Sequence, residues 1–150
     1  MSTRKVQVIA TNKRQIRNYE LLDSFECGIV LTGSEVKSIR AGNIDLTNSY
    51  CTIYKDELFL DECYIKEYML EKSDPTRRRK LLMHKSEIKK IKLQQEKFKL
   101  TIVVKGVYWK NNKIKFQICL ARGLKKYDKR EKIRKEETDK KIQQKIKNYL

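Results

Sequence analysis

Residues 25–42 constrain the fold most, because the hydrophobic period changes in the middle of them. Residues 28–31, Gly-Ile-Val-Leu, are apolar and β-rich and predict a buried strand. Immediately afterwards Val36 and Ile39 stand three apart, with Lys37, Ser38 and Arg40 around them, which places the two apolar residues on one face of a short helix. Thr32 followed by Glu35 has the form of a capping box: the hydroxyl accepts from an orphan N–H and the carboxylate reaches back to the cap. Gly42 is placed to end the helix in a left-handed conformation. A core strand therefore turns directly into a short capped helix, with acidic Glu26 at the strand's entry.

The flanking segments are mostly β. Residues 19–22 read as a first strand that leads through Asp23 and Ser24 into this stretch. Residues 49–54 read as another, with Cys51 and Ile53 on one face and Tyr50, Thr52 and Tyr54 on the other. Lys55-Asp56 predicts a tight connection to a returning strand over residues 57–65. Residues 66–76 are polar, hold the only proline (Pro75), and predict a surface loop. A helix is expected to begin near residues 84–86, with Glu87 early in it and Ile88 and Ile91 on one face. Residues 100–109 and 113–121 predict a hairpin. In its second strand Ile114, Phe116, Ile118 and Leu120 alternate with Lys113, Lys115, Gln117 and Cys119, and Asn111-Asn112 suits the turn. Such a chain predicts a mainly β fold: a small, closed or nearly closed antiparallel barrel of about six strands with two short flanking helices, closure removing exposed edges.

Beyond Gly123 the texture changes. Residues 125–150 carry about twice as many cations as acids, and a thin apolar stripe of Ile142, Ile146 and Tyr149 at helical spacing. That stripe buries too little to offset the entropy of ordering the segment. The expectation is a core domain over residues 1–124 and a basic tail over 125–150, unstructured alone and helical against a partner. Residues 1–18 read as a ragged basic arm whose ordered part is Thr11-Asn12-Lys13-Arg14.

The net charge of +17 points to a polyanion, nucleic acid first and an acidic membrane surface second. No apolar run is long enough to span a bilayer, and the first residues lack a signal peptide's apolar stretch, so a cytoplasmic protein is expected. The four cysteines form no Cys-x-x-Cys pair and read as small buried thiols rather than a metal site or disulfides. His84, the single histidine, sits among lysines, and a Ser-His-Asp or Cys-His arrangement would have to be built through it. The isolated glycines make no phosphate loop. No enzymatic role and no cofactor are expected.

The residues that suggest RNA are the cation run Arg77-Arg78-Arg79-Lys80, which can neutralise phosphates, and Glu26, a carboxylate able to accept from base amino groups or a 2′-hydroxyl. Tyr127 lies among charges in the tail and is suited to stacking on a base. Tyr50 and Tyr108 read as core.

These motifs, taken in order, resemble the SsrA-binding protein (SmpB) family. The resemblance runs through Ala10-Thr11-Asn12-Lys13-Arg14, residues 25–42, Asp74-Pro75-Thr76-Arg77 and Arg79-Lys80-Leu81-Leu82. It continues through Leu120-Ala121-Arg122-Gly123, Lys125-Lys126-Tyr127-Asp128-Lys129-Arg130 and the basic tail. It implies an oligonucleotide-binding-like barrel that binds the tRNA-like part of transfer-messenger RNA (tmRNA) as a monomer, in a one-to-one complex. It also implies delivery of that RNA to stalled ribosomes, the protein standing where an anticodon arm would stand against small-subunit RNA at the decoding site. The resemblance implies RNA contacts at Asn12, Glu26 and Leu82, and the cations Lys13, Arg14, Arg77, Arg79, Lys80 and Arg122 are candidate contacts beside them. Contacts with the decoding site and the empty messenger channel are implied at Lys125, Lys126, Tyr127, Asp128, Lys129, Arg130, Ile142 and Ile146. Two departures stand out: Tyr127 occupies a position often held by His in the family, and the mid-tail lacks the tryptophan of some members. A general or ribosomal RNA-binding protein with a basic tail is the alternative that composition alone leaves open.

Overall fold

The computed structural model describes residues 6–149, apart from the side chains at 126–129 and 147–149. Thirteen elements follow one another. They are β1 (Val6–Thr11), α1 (Lys13–Ile16), β2 (Tyr19–Ile29), α2 (Gly33–Arg40), β3 (Ile44–Asp45), β4 (Tyr50–Tyr54) and β5 (Glu57–Asp61), then β6 (Tyr64–Ile65), β7 (Arg79–Leu82), α3 (Lys85–Phe98), β8 (Thr101–Lys110), β9 (Lys113–Gly123) and α4 (Lys126–Tyr149). The main sheet runs β1-β8-β4-β5-β7-β2-β9, and β8 also pairs with β9. Six strands thus close a ring, and β1 lies outside it on the edge of β8. The first part of that edge pairs with β4 at Ile102 and Val103; the later part, from Gly106, pairs with β1. A side chain at Gly106 would come within 3.1 Å of the Ala10 carbonyl, so glycine is what lets β1 approach there.

Two bulges set which side chains face inward. In β8 the register shifts between Val104 and Gly106, so Ile102 and Val104 face the core before it and Val107 after it. In β2 the shift lies between Leu21 and Asp23. Leu21 packs on a small outer cluster of Val103, Cys119 and Ala121, whereas Phe25 and Cys27 belong to the main core. The alternation read in β9 holds for Ile114, Phe116, Ile118 and Leu120, all buried; Cys119 is buried too, in that outer cluster. The turns follow their chemistry: Lys55 and Asp56, and Asn111 and Asn112, all have positive φ, as two-residue hairpins require. All four cysteines are buried and free.

The capping box is present at α2. Thr32 accepts from the Glu35 N–H at 3.3 Å, Glu35 accepts from the Thr32 N–H at 2.9 Å, and Gly42 follows the helix at φ +83°. α3 buries Ile88 and Ile91 against the barrel and ends at Lys99 in the left-handed region.

Several expectations are corrected. The two strand segments expected at 19–22 and 28–31 are one strand, β2; it ends at Ile29, and Val30 is half exposed beyond it. The strand expected over 57–65 breaks at Glu62, whose φ of 56° turns the chain out of the main sheet, so that β6 pairs with β3 instead. Order begins earlier than Thr11, because β1 has an edge of β8 to pair with. Helices number four in the described chain rather than two, α1 and α4 being the additions. Tyr50 points outward and is 40% exposed, since its outward parity in β4 outweighs its apolar ring.

The tail differs most. It is a single helix, α4, anchored by polar groups that a count of apolar residues overlooks. Lys132 Nζ donates to the Ile16 carbonyl at 3.3 Å and the Tyr19 carbonyl at 2.8 Å, and Glu136 lies 4.0 Å from Arg17. Just before the helix, the Leu124 N–H donates to the Asn18 carbonyl at 2.9 Å. Further along, Ile142 and Ile146 are half exposed. No helix among the described residues is long and apolar enough to cross a membrane.

Candidate RNA interface

On the outer face of β2, β9 and β8, Glu26 stands opposite Gln117 in the register of the first pair. Its carboxylate accepts from the Tyr108 hydroxyl and lies 3.2 Å from Lys110 Nζ. The Tyr108 hydrogen bond is the largest influence on the Glu26 carboxyl; burial opposes it, but with Lys110 and the field of Lys115 added the carboxyl is held below its ordinary value. The Tyr108 hydroxyl is pushed up in turn, by burial first and then by its bond to Glu26. Glu26 is therefore an ionised acceptor, partly satisfied from within and partly open to solvent.

Beside it β2 passes from β9 to β7, where Gly28 faces Leu82. A side chain at Gly28 would meet Leu82 Cβ at 3.4 Å and Lys115 Nζ at 3.7 Å, so glycine leaves a shallow floor between them. Leu82 is half exposed on that floor. Two adjoining grooves share Gly28, Leu82 and Lys115: one of about 410 Å³ reaches Glu26, His84 and Glu87, and one of about 380 Å³ reaches Trp109, Asn112 and Lys113. A trough with an exposed apolar floor, lysines on its wall and one ionised carboxylate at its end can hold a sugar–phosphate segment and accept hydrogen bonds from it.

The other expected contact residues divide sharply. Arg79 is fully buried; its Nε lies 2.5 Å from Glu35 Oε2, and its Nη1 and Nη2 donate to the Cys63 carbonyl at 2.7 Å and the Pro75 carbonyl at 3.0 Å. Arg77 forks onto both oxygens of Glu35, its Nη2 at 2.5 Å from Oε1 and its Nε at 3.2 Å from Oε2. Burial would push the Glu35 carboxyl up, but the bonds from Arg77, the Thr32 N–H and Arg79 outweigh it and hold the carboxyl below its ordinary value. Arg78 forks onto Asp61, and Lys80 lies 3.3 Å from Glu57. The cation run is thus a strand start folded against acids, not a loop with four open charges. Asn12 is buried as well, donating to the Leu46 carbonyl at 3.1 Å, the Val104 carbonyl at 2.9 Å and the Gln15 side chain. Buried in this way, Arg79 and Asn12 present no side chain to a ligand.

Lys13 and Arg14 are exposed on α1, Arg122 is exposed 3.8 Å from Glu20, and Lys125 and Arg130 are exposed where α4 begins. The side chains of Lys126, Tyr127, Asp128 and Lys129 lie outside the described residues. Sequence reasoning missed Tyr108, Lys110 and Lys115 as partners of Glu26. The outward parity of Lys113 and Lys115 in β9 was the available signal, whereas Tyr108 read as core.

A family model described as SmpB protein matches residues 9–148. The SsrA-binding protein of Mycoplasmopsis synoviae (strain 53) is 53% identical over 143 residues, covering 95% of this chain and 99% of the relative. That of Mycoplasmopsis pulmonis (strain UAB CTIP) is 48% identical over 141 residues, covering 93% and 97%. A solved chain, from work described as "tmRNA-SmpB: a journey to the center of the bacterial ribosome", superposes with a TM-score of 0.66 at 39% identity, covering 78% of this chain and 85% of that one. With a family model spanning nearly its whole length and relatives this similar, the chain belongs to the SmpB protein family.

Proposed function

We propose that this chain binds the tRNA-like part of tmRNA (SsrA RNA) and delivers it to stalled ribosomes for trans-translation. It acts as a cytoplasmic adaptor without catalytic chemistry of its own, as a monomer bound to one RNA. The observation that carries this reading is 53% identity over 95% of the chain to a protein named for binding SsrA RNA. The ionised Glu26 beside the floor of Gly28 and Leu82 supports it, because a carboxylate amid lysines adds hydrogen-bond selectivity that cations alone lack.

Residues 1–124 hold the RNA and residues 125–150 serve the ribosome. In the barrel, Glu26 and Leu82 meet the RNA directly, with Lys13, Arg14, Lys80 and Arg122 as outlying cations. The barrel stands where an anticodon arm would stand at the decoding site. From there α4, 24 residues and so about 36 Å long, enters the empty messenger channel. Residues 125–130 make its first contacts with small-subunit RNA, and Ile142 and Ile146 give it an apolar stripe farther in.

The test is a gel shift with the tRNA-like fragment of tmRNA and with an unrelated structured RNA, followed by tagging of stalled chains in a reconstituted translation system. Strong preference for the tRNA-like fragment together with tagging is expected. Equal affinity for both RNAs with no tagging would leave a general RNA-binding protein and sink the adaptor reading.

A further inference from the structure

Trp109, the only tryptophan of the chain, stands at one end of the barrel, opposite Ile114 in β9 and Gln7 in β1. Part of its ring packs on the core, and the rest forms a wall between two open grooves. The first is the trough that ends on Leu82. The second, of about 490 Å³, is lined by Gln7, Arg40 and Asn112. The Arg40 guanidinium lies over the indole, 5.4 Å from its centroid. Among the described residues Arg40 has no ion pair, although the chain places acids against Arg77, Arg78, Arg79 and Arg122.

We propose that Trp109 and Arg40 form a stacking site for one unpaired nucleobase of the bound RNA, about which Gln7 and Asn112 offer amides and Lys113 a phosphate partner. This rests on the RNA-binding reading above and adds to it a site that is separate from Glu26. Three physical features favour a base. Indole and guanidinium are both flat and polarisable, and a base presents a flat π-face to either. A primary amide offers a donor and an acceptor together, which is what the edge of an unpaired base requires. The site is also held in place: Asn112 sits in the tight turn at φ 63°, and Arg40 rides on α2, whose start is locked by the capping box and by the Arg77 and Arg79 bonds to Glu35. An acidic peptide would meet the same cations, but it would leave the indole face and both amides without matching groups.

Because the chain has one tryptophan, its fluorescence reports this site alone. The protein is titrated with the tRNA-like fragment of tmRNA, with a gel shift on the same samples. At saturation the emission of Trp109 should fall by at least half and its quenching by acrylamide should be suppressed. Trp109→Phe should keep affinity within about threefold, while Trp109→Leu, which keeps apolar bulk but loses the π-face, should weaken binding about tenfold, the scale of one lost stack. Arg40→Ala should weaken it by a smaller factor with the melting temperature unchanged. A saturated complex with unaltered emission and acrylamide quenching would overturn the stacking site and leave the RNA-binding function standing. So would equal affinities for Trp109→Leu and wild type in variants shown to be folded. Absence of a gel shift with wild-type protein would instead overturn the RNA-binding reading, and the stacking site with it.

Discussion

Arg79 and Glu35 form an ion pair inside the protein, with 2.5 Å between Nε and Oε2 and side-chain exposures of 0% and 2%. The pair fastens the start of β7 to the first turn of α2, and through the Cys63 and Pro75 carbonyls it fastens the ends of the loop over residues 66–76 as well.

Removing one member of such a pair leaves the other charged and buried. Arg79→Met is therefore expected to cost about 3–5 kcal/mol of stability, measured by urea unfolding. Lys80→Ala should cost under about 1 kcal/mol, because the Lys80–Glu57 pair is exposed. Equal small losses for both variants would contradict the clamp.

The same carboxylate predicts a pH dependence. Glu35 titrates below its ordinary value of 4.5 in the folded chain. A depressed folded pKa means that the unfolded chain binds its proton first as pH falls. The stabilisation is complete above the ordinary value and is lost as pH drops below 4.5 through the lower folded value. Unfolding free energies between pH 7 and pH 3 should show this loss in wild type, and a shallower slope in Glu35→Gln.

Asn12 is expected to act on the fold rather than on the ligand. Asn12→Ala removes the buried amide that donates to the Leu46 and Val104 carbonyls, of which Leu46 keeps the Ser49 N–H and hydroxyl, and should cost about 1–3 kcal/mol. RNA affinity, corrected for the unfolded fraction, should change by less than about twofold, well under the roughly 1.4 kcal/mol of a tenfold step. A large affinity loss with unaltered stability would return Asn12 to the interface.

For Glu26 the opposite pattern is expected. Glu26→Gln keeps the shape and removes the charge that Tyr108 and Lys110 share. RNA affinity should fall by about 1–3 kcal/mol, the scale of a charged hydrogen bond, with little change in melting temperature. Unchanged affinity with a lowered melting temperature would make it an internal ion pair only.

Truncation after Lys126 separates the two parts of the chain. Affinity for the tRNA-like fragment should stay within about twofold, less than the tenfold that roughly 1.4 kcal/mol represents, while tagging on stalled ribosomes is abolished. Full tagging by the truncated chain would show that α4 is dispensable.

What could be read from the sequence was what neighbours in sequence decide. Thr32 and Glu35 are three residues apart, Asn111 and Asn112 adjacent, and Ile114 to Leu120 a simple alternation; the structure bears each out. The cation run could not be read this way. Whether Arg79 is open or buried depends on Glu35, 44 residues earlier, and Arg78 depends on Asp61, 17 residues earlier. The anchoring of α4 was hidden for the same reason: Lys132 is one lysine among many until the Ile16 and Tyr19 carbonyls, 116 and 113 residues earlier, are placed beside it. Leu82 was implied by the family resemblance alone, and its place beside Glu26 follows from the Gly28–Leu82 register of β2 and β7, while Tyr108 and Lys115 reach the same site through the pairing of β8 and β2 with β9.

The four buried thiols have a practical consequence. Burial pushes Cys27 and Cys63 up to about 12 and Cys51 well above its ordinary value, and Cys119 is wholly enclosed, so the folded chain offers almost no accessible reactive thiol. A maleimide dye would accordingly find a single cysteine introduced on the exposed part of α4, at Gln143 for instance, and leave the native four untouched. The helix could then be followed by distance measurements as it leaves the barrel, in an otherwise unaltered protein.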